Sequence, residues 1–453
     1  MTINIGEIGE KDRNSVLHPF TQLKDFATGK LGDPTIVETG KGIRIQDANG
    51  NQLIDGFAGL YCVNVGYGRT EVAEAISRQA YRLAYYHSYA AHTTDELAIL
   101  SDRLVKMAPN KMSKIFYGMS GSDANETQAK LVWYYNNLRG KPNKKKIISR
   151  ERGYHGCSVI SGSMTGMSFY HDHMDLPLPR ILHTGVPHFY WGAQPGETEQ
   201  EFSKRRAAEL DDLIQREGPD TVGAFIGEPV LGTGGITPPP AGYWEAIQPV
   251  LRKHDVLLIA DEVITGFGRT GSMFGSQHYG IEPDLITIAK GLTSAYFPLS
   301  AAMVGEKVYE VLEAGADRVG AFSHGYTYSG HPVGCAAGLA ALAETKRLAV
   351  NENAAVRGVE LGKVLEALKA KHQLVGDVRY QGLMAALELV SDRAAKKPGD
   401  KKTLAVVAEA AYQAGVMLRV SGNTIILSPP LVISAADVAK IGEALDAGLA
   451  AAA

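Results

Sequence analysis

Three apolar, β-branched runs in the middle of the chain constrain its fold more than any other feature. They are "TVGAFIGEPV", "DVLLIADEVI" and "DLITIAK", and helix-length segments separate them. Runs that are apolar at nearly every position are typical of strands buried on both faces of a parallel sheet. The alternation of such strands with helices predicts an α/β fold, in which helices cover both sides of a mostly parallel sheet.

Different patterns stand at the two ends of the chain. Near the N-terminus, "GIRIQDANGNQLIDG" places Asn49-Gly50 between short alternating runs, which is a strong signal for a β-hairpin. After about Gly330, an alanine-rich helix is followed by "VRYQGLMAALELV" and "VMLRVSGNTIILSPPLVI", an α+β pattern that we expect to pack with the hairpin. The predicted units are an N-terminal segment at 1–67, a large domain at 68–329 and a small C-terminal domain at 330–453.

Charge and composition exclude several classes of protein. A net charge of -3 offers no positive field for nucleic acid or for an anionic membrane. No stretch approaches about 18 uninterrupted apolar residues, so no membrane span is expected. Three scattered cysteines and the isolated pair His171 and His173 do not suggest a disulfide framework or a metal site. We expect a cytoplasmic enzyme that holds no metal ion.

Charged side chains follow the three buried strands where each strand ends, namely Glu228, Asp261 and Lys290. Ligands of parallel α/β sheets bind beyond these ends. A buried acid such as Asp261 needs a cationic partner, and a protonated pyridine ring would supply one. A poorly solvated Lys290 has a lowered pKa and can form a Schiff base with a carbonyl. Taken alone, however, this pattern is better explained by a lysine whose amine reaches back to water.

Two glycine-containing segments add a phosphate site and an aromatic face. "GMSGSDANE" places Ser120, Gly121 and Ser122 before a helix for which Ser122 or Asp123 is the predicted cap. Free N–H groups at a helix start bind phosphate, although a simple tight turn explains this segment at least as well. "RGYHG" ends a strand at Tyr154, which either stacks on a flat ligand or packs against the protein. Acid, lysine, phosphate site and aromatic together indicate a pyridoxal 5'-phosphate site.

The chain resembles the class III (subgroup II, ω-type) aminotransferases among the fold type I pyridoxal-phosphate enzymes. The likeness runs from about Leu17 to Leu445, through "DGFAGLYCVNVGYGR", "YGMSGSDANETQAKL", "RGYHG", "GEPV", "ADEVITGFGRTG", "AKGL", "GYTYSGHP" and "LRVSGNTIILSPPL". The fold that it implies has a large domain with a mostly parallel seven-stranded sheet and a smaller α+β domain built from both termini.

The resemblance also implies roles for the matching residues. Lys290 would hold pyridoxal 5'-phosphate covalently as a Schiff base, and Asp261 would pair with the ring nitrogen. Tyr154 and Val263 would pack on opposite faces of the ring, with Glu228 in the network beside it. The catalytic residues would be Lys290, Asp261 and Tyr154. The residues that would bind the cofactor are Ser120, Gly121, Ser122, Tyr154, His155, Glu228, Asp261, Val263, Lys290 and Thr327.

The substrate side of the site follows from the same resemblance. Tyr61 and Thr233 would line the substrate pocket, and Arg419 would bind a substrate carboxylate. Thr327 would reach the phosphate of a neighbouring subunit, which implies a homodimer or a higher homo-oligomer.

The implied reaction moves an amino group from an ω-amino acid or a primary amine to an oxo acid by a ping-pong mechanism, with pyruvate giving alanine. Diamine and taurine aminotransferases are alternatives within the family. The same fold also hosts racemases, mutases and decarboxylases. Arg419 favours an aminotransferase, because an oxo acid needs a carboxylate clamp. A catalytically silent binding protein is the alternative from another functional class. The presence of Lys290 and Asp261 argues against it.

Overall fold

The computed structural model describes residues 4–453, so the first three residues of the predicted N-terminal segment lie outside the described part. The strands are β1 (Val37–Lys41), β2 (Arg44–Asp47), β3 (Gln52–Asp55), β4 (Met112–Gly118), β5 (Lys146–Arg150), β6 (Ile181–Thr184), β7 (Val222–Gly227), β8 (Leu257–Asp261), β9 (Leu285–Ile288), β10 (Ser300–Gly305), β11 (Val375–Gln381), β12 (Met384–Asp392), β13 (Lys397–Pro398), β14 (Val416–Met417), β15 (Arg419–Ser421) and β16 (Thr424–Leu427).

The helices alternate with these strands through most of the chain. They are α1 (Ile5–Ser15), α2 (Leu23–Ala27), α3 (Ala58–Tyr61), α4 (Thr70–Arg82), α5 (Asp95–Met107), α6 (Gly121–Leu138), α7 (Val159–Met164), α8 (Phe189–Gly192), α9 (Glu199–Glu217), α10 (Tyr243–Lys253), α11 (Gly275–Tyr279), α12 (Glu306–Val319), α13 (Pro332–Arg347), α14 (Val350–Lys371), α15 (Lys401–Gln413) and α16 (Ala435–Ala451). From residue 4 onward, no helix is both long and apolar enough to cross a membrane.

The central sheet has seven strands in the order β4-β10-β9-β8-β7-β5-β6. β10 runs antiparallel to both of its neighbours, and the remaining pairs are parallel. The predicted seven-stranded, mostly parallel sheet is confirmed. Because β7, β8 and β9 are neighbours in the sheet, their carboxyl ends lie side by side.

Helices cover both faces of this sheet, and the alternation of side chains along the strands explains the apolar runs. Phe225 and Leu258 pack in a cluster with residues of α9 and α10, whereas Ile226 and Ile259 pack in a cluster with residues of α6. Every residue of β7, β8 and β9 is buried. A strand with two buried faces has no position at which a polar residue would meet water.

Two smaller sheets contain the strands of the two chain ends, in the orders β1-β2-β3-β14 and β11-β12-β16-β15, with β13 beside β12. The predicted hairpin consists of β2 and β3, which pair antiparallel. Gly50 in its turn has a φ of 86°, a conformation that favours glycine. β14 pairs in parallel with β3, so the hairpin shares a sheet with the C-terminal part. The boundaries at residues 67 and 329 stay a prediction.

Helix α6 begins earlier than the sequence suggested. The prediction of Ser122 or Asp123 as the cap was wrong, because Ser120 caps the helix. The Ser120 hydroxyl accepts a hydrogen bond from the Asp123 amide at 3.2 Å, and the Asp123 carboxylate accepts one from the Ser120 amide at 3.1 Å. This reciprocal pair satisfies two N–H groups at the start of the helix. Gly121 and Ser122 therefore stand in the first turn of α6.

Candidate active site

A cavity of about 400 Å³ lies at the carboxyl ends of β7, β8 and β9. The loop that follows β5 and the first turn of α6 contribute further walls. Of the predicted cofactor-binding residues, all except Thr327 line this cavity, namely Ser120, Gly121, Ser122, Tyr154, His155, Glu228, Asp261, Val263 and Lys290. The fold thus brings together residues that are widely separated along the chain.

Asp261 ends β8 with its carboxylate held by three donors. Its Oδ2 atom lies 2.9 Å from Asn125 Nδ2 and 2.8 Å from His155 Nδ1. Its Oδ1 atom accepts a hydrogen bond from the Val263 amide at 3.1 Å. Hydrogen bonds of this kind stabilise a buried negative charge. The carboxylate is therefore fixed in orientation and can hold a cationic partner on the side that faces the cavity.

Asn125 is a site residue that the sequence analysis missed. Its Nδ2 atom donates to Asp261 and, at 2.7 Å, to the His155 carbonyl, while its Oδ1 atom accepts from the Thr287 hydroxyl at 2.7 Å. It therefore links α6 to β8 and β9. A polar residue on the helix face that also carries Ala129 and Val132 was the available signal, because a buried amide needs hydrogen-bond partners.

Lys290 follows β9 in a short 3-10 turn and has a left-handed φ of 46°. Burial lowers the pKa of its amine, and the negative charges of Asp261 and Glu228 oppose this shift. Its Nζ atom lies 5.8 Å from the centre of the Tyr61 ring. A lysine of lowered pKa has a larger fraction of neutral, nucleophilic amine near pH 7.

Gly121 and Ser122 stand where the cavity meets the first turn of α6. A Cβ atom on Gly121 would come within 3.1 Å of Val263, so glycine allows the helix start to approach the exit of β8. The first N–H groups of a helix have no acceptor within the helix, and the dipole there favours an anion. The Ser122 hydroxyl also accepts a hydrogen bond from the Cys157 amide at 3.2 Å. This corner of the cavity is suited to a phosphate group.

Glu228 joins two loops at the rim of the cavity. Its carboxylate accepts hydrogen bonds from the Tyr154 amide at 3.0 Å and from the Gly232 amide at 2.7 Å. Burial raises the pKa of Glu228, and the nearby charge of Asp261 adds to the increase. Burial likewise raises the pKa of the Tyr154 hydroxyl. Both side chains are therefore neutral over a wider pH range than exposed groups of the same type.

The predicted substrate residues form a second group of contacts next to the cavity. Arg419 Cζ lies 4.9 Å from the centre of the Phe57 ring, and Phe57 packs edge-on against Tyr61 at 4.3 Å. Within residues 4–453, the buried Nε atom of Arg419 has no hydrogen-bond partner. The Thr233 carbonyl accepts a bond from the hydroxyl of Ser421, which lies on the same short strand as Arg419, at 3.5 Å.

Thr327 lies apart from the cavity of its own chain. Its side chain is exposed, and its carbonyl accepts a hydrogen bond from the Tyr85 hydroxyl. This position is what the resemblance requires of a residue that serves a neighbouring subunit, and that role stays a prediction.

The residues around the cavity fit pyridoxal 5'-phosphate. Asp261 can accept from a protonated ring nitrogen, and Lys290 can supply an amine for the aldehyde. The first turn of α6 supplies donors for the phosphate, and Tyr154 and Val263 supply apolar surface for the ring.

Known proteins resemble the chain over nearly its whole length. The profile of the family described as "Aminotransferase class-III" matches residues 27–449. An uncharacterized aminotransferase of Sinorhizobium fredii is 76% identical, over 97% of this chain and 95% of the relative. The diaminobutyrate–2-oxoglutarate transaminase of Halomonas elongata is 54% identical, over 95% and 93%. The crystal structure of the ω-transaminase of Pseudomonas jessenii in complex with PMP superposes with a TM-score of 0.95 at 42% identity, covering 98% of each chain.

Proposed function

This chain belongs to the class III aminotransferase family, and from that premise we propose that it transfers an amino group from an ω-amino acid or a primary amine to pyruvate, giving alanine. The enzyme uses pyridoxal 5'-phosphate, as class III aminotransferases do. The observation that carries the proposal is the placement of Asp261 and Lys290 at neighbouring strand ends around one cavity. An acid for the ring nitrogen and an amine for the reacting carbon must act on the same flat ring.

Bound pyridoxal phosphate supplies a reactive carbonyl carbon and a protonated ring that takes up the electron pair left when a substrate Cα loses its proton. Asp261 keeps the proton on the ring nitrogen, because its carboxylate is held by three donors and offers its remaining side to the cavity. Lys290 would accept the proton from the substrate Cα at its Nζ atom and deliver it to the cofactor carbon that carried the aldehyde oxygen, which moves the amino group to the cofactor. Its lowered pKa suits it to this exchange near neutral pH.

Arg419 is proposed to bind the carboxylate of the oxo acid. An unmatched buried cation is destabilising, so the guanidinium needs a partner when an amine without a carboxylate is bound. The Phe57 ring, 4.9 Å away, supplies a cation–π contact in the absence of an anion. An arginine that can exchange an aromatic face for a carboxylate suits an enzyme that accepts both kinds of substrate.

We further propose a homodimer or higher homo-oligomer, since Thr327 is exposed and lies outside the cavity of its own chain. The proposal includes a cytoplasmic location. All three cysteines are free, and free thiols persist in a reducing compartment.

A second candidate takes diaminobutyrate as donor and 2-oxoglutarate as acceptor. The name of the Halomonas elongata relative, which is 54% identical, supports it. The two candidates differ in the product amino acid, which is alanine in the first and glutamate in the second.

A panel of donors would test these proposals. β-Alanine, taurine, diaminobutyrate and an aryl-alkyl amine are each incubated with pyruvate or with 2-oxoglutarate, and alanine and glutamate are quantified. Alanine formation with pyruvate at least about tenfold faster than glutamate formation supports the first candidate, a difference worth ~1.4 kcal/mol in the barrier. The reverse preference supports the second candidate and overturns pyruvate as the acceptor.

A further inference from the structure

A buried ion pair lies in the sheet of β11, β12, β15 and β16, next to the substrate side of the site. Glu388 on β12 is fully buried, and its Oε2 atom accepts a hydrogen bond from Arg379 Nη2 at 2.6 Å. The same carboxylate accepts hydrogen bonds from Trp191 Nε1 at 2.9 Å and from the Thr424 hydroxyl at 3.2 Å. A buried carboxylate with this many donors is fixed in place and fixes the arginine in turn.

Arg379 uses its remaining donors on a loop at the substrate side. We call residues 231–237 the pocket loop. Arg379 Nη2 donates to the Gly235 carbonyl and Arg379 Nε to the Ile236 carbonyl, each at 2.9 Å. Arg379 Nη1 donates to Asp377 at 2.9 Å. All three nitrogens of the guanidinium are thus engaged, which a planar arginine can do and a lysine cannot.

The pocket loop contacts the active site at three other points. The Gly232 amide donates to Glu228 at 2.7 Å, and the Thr233 carbonyl accepts from Ser421 on β15 at 3.5 Å. The Ile236 side chain is buried in one cluster with Phe57 and Tyr61. A change in the position of this loop therefore moves the surfaces against which a substrate packs.

We propose that Arg379, held by Glu388, is a positioning residue that fixes the pocket loop and thereby sets the preference of the enzyme between short and bulky amine donors. The inference rests on the proposed function, in which Thr233 and Tyr61 line the substrate pocket. Arg379 connects the sheet that carries Arg419 to the loop that carries Thr233. Loosening this connection widens the pocket, weakening contacts with a short donor more than with a bulky one.

The test compares Arg379→Lys with wild type, with Arg205→Lys as the matched control. Arg205 also bonds an acid, Glu197, and a backbone carbonyl, that of Gly192, but it lies on α9. The two donors compared both lack a carboxylate, so Arg419 does not affect the comparison. For Arg379→Lys, we expect kcat/KM for the short donor 2-aminobutane to fall about tenfold through KM, and that for the bulky donor 1-phenylethylamine to change less than about threefold. The control should leave the ratio unchanged, since a merely destabilised enzyme loses both activities equally.

Hydrogen exchange provides a second measurement that needs no substrate. The amides of Leu231, Gly235, Ile236 and Thr237 are hydrogen-bonded within the pocket loop. In Arg379→Lys we expect faster deuterium uptake in the peptide spanning 231–237, and in the control no change. If wild type transaminates neither amine, the proposed function fails, while the exchange measurement still reports whether Arg379 holds the loop.

The milder variant Glu388→Gln keeps an acceptor for Trp191 but removes the charge that holds Arg379. It replaces Arg379→Lys in both measurements if Arg379→Lys does not fold. We expect a change in the same direction, about threefold in the donor ratio. Unchanged exchange in the pocket loop overturns the proposal. Faster exchange with an unchanged donor ratio also overturns it, because the loop would then not control selectivity.

Discussion

His155 Nδ1 lies 2.8 Å from Asp261 Oδ2, and both side chains are buried. Because Asn125 donates to the same oxygen and the Val263 amide to the other, the Asp261 carboxylate is surrounded by donors on the protein side. Charged hydrogen bonds of this kind hold an acid in one orientation. The contact therefore fixes the acid at the end of β8 in one orientation, with its remaining side toward the cavity.

Replacing Asp261 by asparagine tests this arrangement. Asp261→Asn removes the charge but keeps the size of the side chain, so we expect a folded enzyme whose rate falls about 10²- to 10³-fold, as when an electrostatic stabiliser is lost. Single-turnover kinetics with an amine donor measure the loss, and circular dichroism checks the fold. An unchanged rate would show that Asp261 does not face the ring nitrogen.

Asn125 offers a prediction about positioning. Asn125→Ala removes a hydrogen-bond partner from the Thr287 hydroxyl, from the Asp261 carboxylate and from the His155 carbonyl. We expect the free energy of unfolding to fall by ~1–3 kcal/mol and the rate to fall about tenfold, because buried polar groups lose their bonds and Asp261 loses one of its supports. Thr287→Val removes only the outer hydrogen bond, so as a control it should change the rate less than Asn125→Ala does.

The sequence predicted the central sheet and the acids and lysine at its edge, because both depend on local pattern. A strand buried on two faces must be apolar, and a charge at its end then stands out, as Asp261 does. The Arg379–Glu388 pair has no such signal. Its members lie in β11 and β12, and their contacts with the pocket loop arise only when distant parts of the chain meet. The cap of α6 was missed because Ser120 and Ser122 are equally good capping residues.

The lowered pKa of Lys290 predicts a pH dependence for the cofactor-free protein. Between that pKa and the ordinary lysine value of about 10.4, the unfolded chain binds more protons than the folded one, so stability rises with pH across this window. Lys290→Met lacks this rise. We expect the free energy of unfolding of the variant to exceed that of wild type by the largest amount at low pH. As the pH rises, this difference should shrink by ~1.4 kcal/mol for each unit by which the pKa of Lys290 is lowered. Denaturant titrations between pH 7 and 10 measure it, and parallel curves would contradict it.

The role proposed for Lys290 also predicts that its replacement causes a loss of turnover. Lys290→Ala removes both the covalent attachment and the group that carries the proton, so we expect turnover to fall at least about 10²-fold. Asp261 and the first turn of α6 remain to hold the cofactor, which equilibrium dialysis would detect. Activity within roughly tenfold of wild type would contradict the assigned role.

The role proposed for Thr327 predicts that assembly of the subunits and binding of the cofactor are linked. If Thr327 completes the phosphate site of a neighbouring subunit, sedimentation should show a dimer or larger, and Thr327→Val should weaken cofactor binding about tenfold by removing one hydrogen bond to a charged group. Ser323→Ala is the control, because Ser323 lies in the same exposed segment and, within residues 4–453, its hydroxyl donates a hydrogen bond only to the Ala321 carbonyl. A fully active monomer would rule out a shared site.

Replacing Arg419 should slow one half-reaction much more than the other. The Arg419 guanidinium faces Phe57 at 4.9 Å, and its Nε atom has no partner within the described residues, so an oxo-acid carboxylate would be its strongest contact. A charged bidentate contact is worth ~1.5–3 kcal/mol, or roughly 10- to 150-fold. We expect Arg419→Ala to slow the half-reaction with pyruvate by this factor and to change the deamination of 1-phenylethylamine, which has no carboxylate, less than about threefold. Stopped-flow absorbance resolves the two steps. Equal losses in both, or none in either, would show that Arg419 does not bind the carboxylate.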